Sequence, residues 1–171
     1  MAADTFVSRN LGDVYAGRDW VRHDPVEIME ALMYPGMIFT ERDSSGFAYL
    51  FNRQDWVDSG YRPAGILGLE NGHALDAAYT AGDLVEPFYI GDDAEVYMYV
   101  IADSPAPKYK KGTTIVASGT DGYGMAWTEY GAIPSAYYDY TTSPLLRIGI
   151  CREYRAGSTS DANIVKVSLS S

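Results

Sequence analysis

Ile164-Val165-Lys166-Val167-Ser168-Leu169 alternates apolar with polar residues. The stretch before it, Leu146-Arg147-Ile148-Gly149-Ile150-Cys151-Arg152, shows the same period of two. Successive side chains of a strand point to opposite faces, so a period of two predicts strands with one face on a core. Val165, Val167 and Leu169 are the inward set of the last strand, with Lys166 and Ser168 toward water. Leu146, Ile148 and Ile150 are the inward set of the other, which places Cys151 on the outward side.

Working outward from this pair, the same reading predicts strands at Gly65 to Leu69, Val85 to Ile90, Val96 to Ala102, Thr113 to Ser118 and Met125 to Thr128. The spacers are turn-forming: Glu70-Asn71-Gly72, Ala81-Gly82-Asp83, Gly91-Asp92-Asp93, Gly119-Thr120-Asp121-Gly122, and Ala156 to Ala162. The 17 glycines and 8 prolines fall mostly between these runs, as a barrel or sandwich of short strands requires. Val96 to Ala102 is apolar on both faces, which calls for a cover on each side; a neighbouring subunit is the expected cover. Tyr137-Tyr138-Asp139-Tyr140 is an aromatic cluster in a loop-like context.

The first sixty residues read differently. Asp24-Pro25-Val26-Glu27 places an acid at a cap position, proline at the first helical position and an acid at the third. Ile28, Met29, Ala31, Leu32 and Met33 follow, before Tyr34-Pro35-Gly36. This predicts one short helix over about 25–33. Residues 1 to 23 mix charges, aromatics and glycines without a period and read as an arm that orders against something else. Met37 to Glu41 and Phe47 to Phe51, joined by Arg42-Asp43-Ser44-Ser45-Gly46, read as a hairpin. The fold expected is mainly β: a compact barrel or sandwich of short strands with one short N-terminal α-helix. Residues 1–61 form the arm, helix and hairpin, and residues 62–171 the β-barrel domain.

A chain of this length fits one compact domain. With 47% hydrophobic and 21% charged residues it has the material for a core. No apolar run reaches membrane-helix length, and the first residues lack the apolar centre of a signal peptide. Thirteen Lys and Arg against 23 Asp and Glu give 13 − 23 = −10. Such a surface repels phosphate backbones, which argues against nucleic acid as a partner. Asp outnumbers Glu 15 to 8 and Lys numbers only 4, a skew suited to high salt. One cysteine excludes an internal disulfide and any multi-cysteine metal site.

Tests for catalytic chemistry come out negative. His23 and His73, the two histidines, read as cap-adjacent and turn residues, and no serine stands in a nucleophile-elbow context. Cys151 beside Arg152 reads as a packed, inert thiol. Gly119 to Gly124 has its glycines in the wrong order for a dinucleotide loop, and in Lys110-Lys111-Gly112-Thr113 the lysines precede the glycine, the reverse of a phosphate loop. Asp55 with Asp58, and Asp92 with Asp93, could be drawn as acid pairs, but nothing indicates a cleft. Asp92, Asp93 and Glu95 are a weak candidate for a hard cation and lack the spacing of a calcium loop. No enzymatic activity and no cofactor are expected.

Residues 62 to 170 carry a resemblance. Pro63-Ala64-Gly65-Ile66-Leu67-Gly68, Tyr79-Thr80-Ala81-Gly82-Asp83-Leu84-Val85, Tyr109 to Thr114 with the Gly119 to Gly124 turn, and the closing pair Leu146 to Glu153 and Ile164 to Leu169 occur in a telling order. In that order they resemble the small β-barrel head decoration proteins of tailed viruses, which bind the outside of the capsid lattice. Cys151 stands where that family usually has alanine, and residues 1 to 61 have no counterpart in it. The resemblance implies a virion structural protein on the outer capsid surface, made in the host cytoplasm. Its expected partners are the major capsid protein and further copies of itself, as a homotrimer or a pentamer, with no nucleic acid and no membrane. Symmetry then multiplies modest contacts into avidity. The expected contact residues are Trp20, Tyr97, Tyr99, Tyr137, Tyr138 and Tyr140, since aromatics bury large area with few rotors, and Lys108, Lys110 and Lys111 toward an acidic shell. The alternative is a glycan-binding β module in which Trp127, Tyr130 and the Tyr137 to Tyr140 cluster stack on sugars.

Overall fold

The computed structural model describes residues 23–74, 76–92, 94–101, 109–127, 146–153 and 164–170. They fold into two small sheets, each nearly closed on itself. The first holds β1 (Val26–Ile28), β2 (Ile38–Thr40), β3 (Phe47–Leu50), β4 (Gly65–Leu67), β5 (Leu84–Val85) and β6 (Pro87–Tyr89), in the order β5-β1-β3-β2-β4-β6. Its outer strands β5 and β6 are two halves of one run bent at Glu86: Leu84–Val85 pairs with β1 and Pro87–Tyr89 with β4. The second holds β7 (Glu95–Tyr99), β8 (Thr114–Ala117), β9 (Gly124–Ala126), β10 (Arg147–Cys151) and β11 (Ile164–Leu169), in the order β7-β11-β10-β8-β9. A parallel bridge from Val100 to Gly124 joins its two ends, with Ile101 N–H donating to the Gly124 carbonyl at 2.9 Å. Among the described residues closure leaves no long open edge to recruit foreign strands.

The two rings share a wall. Ile38, Ile66 and Phe88 stand in register across β2, β4 and β6, and this row belongs to the same core as Val96, Met98, Ile115, Ile148, Val165 and Val167 of the second ring. The adjacent residues Phe39 and Leu67 point the other way, into a smaller core with Val26, Ile28, Met33 and Val85. β2 and β4 are therefore buried on both faces. The joint is tied by backbone bonds: Ile38 N–H to Gly122 O, Gly122 N–H to Phe51 O and Arg53 N–H to Ser118 O, each 2.9 Å, and Tyr99 N–H to Gly36 O at 3.0 Å. Gly122 sits at φ +78, and a Cβ there would come within 2.8 Å of the Met37 sulfur, so only glycine fits.

The hairpin, the later strands and the mainly β class agree with the sequence reading. The helix over 25–33 does not form. Val26–Ile28 is a strand, because Val26 and Ile28 fill the small core while the backbone pairs sideways: Glu27 N–H to Gly46 O, Ile28 N–H to Asp83 O and Met29 N–H to Ala48 O. Leu32, at φ +63, lies outside helical space. The helix among the described residues is α1 (Arg53–Ser59). Asn52 accepts from the Gln54 and Asp55 N–H groups, the Asp55 carboxylate accepts from Asn52 N–H, and Gly60 at φ 70 closes the last turn. Strands from both sides of residue 61 share the first ring, β2 pairing with β4.

Two facings are also corrected. β10 carries a bulge: Arg147 and Gly149 oppose the consecutive residues Val116 and Ile115. One extra residue reverses the alternation beyond it. Cys151 therefore faces the core and Ile150 turns partly outward. For Val96 to Ala102 a neighbouring subunit is the expected cover of the second face; there Tyr97 is only 3% exposed and Tyr99 half-buried within the chain, while Val96, Met98 and Val100 are fully buried on the other face.

Candidate interaction surface

The outward row of the first ring is apolar where a solvated sheet is normally polar. β1 sits between β5 and β3, and the pairings Glu27 to Leu84 and Glu27 to Phe47 place Leu84, Glu27 and Phe47 side by side on the outer face. Leu84 is 63% exposed, and Phe47 is exposed as well. Met29 extends the row along β1, and Leu32 follows at 65% exposure with its backbone in the left-handed region. Leucine in that region is strained by about 1 kcal/mol or more, so its neighbours must hold it there. They do so on both sides. The Glu30 carboxylate accepts from Leu50 N–H at 2.8 Å and pairs with Arg42 at 3.1 Å, while Met33 is fully buried and its carbonyl accepts from Tyr79 N–H at 2.8 Å.

A second outward surface follows from Arg42. Its guanidinium lies 4.0 Å from the Tyr49 ring centre and 5.8 Å from that of Tyr61. Tyr61 donates to Asp43 at 3.2 Å, and the nearby carboxylate pushes its hydroxyl pKa up. Arg62 stands 5.3 Å over Trp56 of α1. Arginine stacked on tyrosine and tryptophan is the composition of protein contact surfaces. Sequence reading missed it; Tyr49 on β3 with Trp56, Tyr61 and Arg62 between β3 and β4 were its available signal.

Of the residues expected to make contacts, Lys110 and Lys111 are exposed in the turn before β8. Trp127, exposed, follows β9 directly beyond the Ala126 to Ile115 pairing, which brings it to the same end of the second ring. Tyr99 is half-buried at the joint, 5.2 Å from the Tyr123 ring, and burial pushes both hydroxyls up. Tyr97 is only 3% exposed. Trp20, Lys108, Tyr130, Tyr137, Tyr138 and Tyr140 lie outside the described residues, as does Asp93.

This double ring has a counterpart among solved structures. A chain of the capsid of Myoviridae phage XM1 superposes on it with a TM-score of 0.56, covering 94% of this chain and 89% of that one. At 13% identity the likeness is one of fold. No protein-family model and no curated protein matches the sequence.

The described groups weighed for catalytic or metal chemistry are engaged in structure. Asp92 holds His23, whose Nε2 lies 2.8 and 3.0 Å from its two oxygens, and accepts from Tyr89 N–H at 3.1 Å. Tyr89 lies edge-on to the His23 ring and donates to Glu41. Glu95 stands 3.9 Å from Arg152. Among the described residues no three His, Cys, Asp or Glu side chains group as a metal site. Asp55 serves the cap, and Asp58 accepts from Gln54 at 2.8 Å. His73 contacts the Ala77 carbonyl at 2.7 Å and stacks on Tyr79. Burial raises the Cys151 thiol to about 11, the opposite of an activated thiolate.

Proposed function

We propose that this chain is a non-enzymatic virion structural protein that decorates the outer surface of a viral capsid. The observation that carries this reading is the fold shared, over nearly the whole chain, with a chain of a phage capsid. The outward surfaces support it: an apolar row on the first ring, an arginine-aromatic face on α1 and β3, and Lys110, Lys111 and Trp127 at one end of the second ring. A rigid module with closed sheets presents side chains rather than strand edges, so specificity comes from shape and from a few aromatic and arginine anchors. The partners are the major capsid protein and further copies of the chain around a lattice symmetry axis, three or five per axis. Each contact need only be modest, because the lattice supplies effective concentration. Lys108, Lys110 and Lys111 meet an acidic shell, and Trp20, Tyr99, Tyr137, Tyr138 and Tyr140 supply aromatic contacts.

The test is rebinding. Capsids stripped of the chain are mixed with the purified protein, sedimented, and imaged by electron cryomicroscopy. Saturable binding at a fixed ratio to the major capsid protein, with density outside the shell, is the expected result. No cosedimentation, or density inside the shell or only in the tail, refutes the reading. Binding of the isolated protein to a glycan array through Trp127 would favour the sugar-binding alternative instead.

A further inference from the structure

The apolar row on the first ring is exposed, with no cover among the described residues. Leu84 and Leu32 are the two most exposed large apolar side chains of the described residues; Phe47 stands across Glu27 from Leu84, and Met29 and Leu32 follow along the chain from β1. The surface is also built rather than accidental. The strand pairings fix Leu84 and Phe47 on either side of Glu27, and the Glu30 and Met33 anchors hold Leu32 in its left-handed conformation. Strain of this kind persists where the surrounding contacts over-determine it.

Charge selects the occupant. Residues 1–22 carry Arg9, Arg18 and Arg22 against Asp4, Asp13 and Asp19, a balance of 3 − 3 = 0. The remaining 149 residues then carry 10 Lys and Arg against 20 Asp and Glu, the entire net charge of −10. Pressing the body of one copy onto the body of another sets two −10 surfaces together, a repulsion to which Glu27 and Asp83 at the row add. The neutral N-terminal segment escapes that repulsion. It brings Phe6, Val7, Leu11, Val14 and Trp20 for the row, with arginines between them for Glu27. Reach is sufficient: 22 residues span up to about 70 Å extended, against a radius of gyration of about 15 Å for a domain of this size. The segment leaves the body at a fixed point, since His23 is held by Asp92 and Tyr89.

We infer that the row formed by Leu84, Phe47, Met29 and Leu32 receives residues 1–22 of a neighbouring copy, so that successive copies are linked arm to body. The link is heterologous and closes into a ring when the rotation permits. It requires no capsid, so it stands or falls separately from the decoration reading.

The experiment uses the full chain with Leu84→p-benzoylphenylalanine, prepared with and without nitrogen-15 label, mixed and irradiated. Cross-linked peptides joining position 84 of one label to residues 1–22 of the other are the expected product. Cross-links confined to one chain, cross-links only to other segments, or none at all overturn the inference. In parallel, sedimentation equilibrium compares the wild type with Leu84→Asp and Phe47→Asp. Both sites are exposed, and an unchanged far-ultraviolet spectrum and melting midpoint confirm the fold. Each substitution is expected to weaken self-association at least about tenfold. Equal association of all three proteins, or a wild type that stays monomeric up to about 1 mM, refutes the link.

Discussion

The two rings of this molecule solve the same problem with different material. The second ring closes on strands of up to six residues, and β11 alternates buried and half-buried positions along most of its length. Its interior is filled by Val, Ile and Met. The first ring closes on strands of two to four residues, one bent run serving as both of its ends, and its loops are secured by side chains such as Glu30, Glu70 and Tyr79. Tyr79 donates to the Gly68 carbonyl and accepts from Glu70 N–H, while Glu70 accepts from Glu86 N–H at the bend. Where strands are long enough, side-chain alternation builds most of the core, with ties such as Ser118 to Tyr123 O and Glu153 to Lys166 N–H at its margins; where they are short, polar ties between loops complete it. The first ring also carries the outward apolar row, so exposed apolar surface among the described residues is concentrated in the ring that regular strands shape least.

The sharpest way to break this comparison is to ask whether the rings unfold together. Phe39→Ala empties the small core and Ile148→Ala the large one, with expected losses of about 3–5 and about 1–4 kcal/mol. Because Ile38, Ile66 and Phe88 bind the rings into one wall, a single urea transition is expected for both variants, seen alike by tryptophan fluorescence and by Cys151 labelling. Two separate transitions would make the rings independent modules.

Next in size are the close approaches of strand to strand. A Cβ on Gly65 would lie 2.1 Å from the Phe88 carbonyl oxygen, and one on Gly149 2.1 Å from that of Ser168. Neither backbone can yield without breaking its pairing. Gly65→Ala and Gly149→Ala are each expected to cost about 3 kcal/mol in chemical denaturation. A cost below about 1 kcal/mol in either ring would show that ring to be loosely closed.

Smaller effects test the ties. Asn52→Ala removes the cap of α1 and its contact with Asp121 across the joint, with an expected loss of about 1–2 kcal/mol. A wild-type melting midpoint would show that the helix does not brace the rings. Tyr79→Phe is expected to cost about 1 kcal/mol at neutral pH. Burial raises the Tyr79 hydroxyl from 10 to about 12. The folded state thus keeps this proton where the unfolded chain loses it, and the stability so conferred is full below pH 10 and is lost as pH rises toward 12. The Phe variant is expected to show a shallower alkaline decline, and an identical slope would deny the tie. The buried Cys151 thiol, raised from 9 to about 11, makes the matching probe of the second ring: native-state labelling is expected to be far slower than for a free thiol.

Legibility in the sequence followed strand length. β11, β8 and the hairpin of β2 and β3 could be read because alternation there runs over enough residues to exclude a helix. Val26-Glu27-Ile28 could not: three residues fit either period, and the Asp24-Pro25 cap signal tipped the reading toward a helix. The capping box of α1 was present as Asn52 and Asp55 with Gly60 beyond, hidden beside a strand-like run. In β10 the bulge between Arg147 and Gly149 reversed the facing of Cys151, a count that depends on the partner strand. Of the exposed groups, Lys110 and Lys111 were legible as the basic cluster. The Leu84, Phe47 and Met29 row joins positions as far as 55 residues apart and had no local sign.

Composition and periodicity by themselves determined a mainly β molecule with a net charge of −10 and a single cysteine, too few for an internal disulfide. Those properties depend on residue type and on nearest neighbours, and both are written along the chain. Pairing between distant strands decided the rest: which of two periods a three-residue strand obeys, where a ring closes, and which apolar side chains remain outside. A strand's second face is assigned only when its neighbours are in place, because hydrogen-bond partners and covering layers come from elsewhere in the chain.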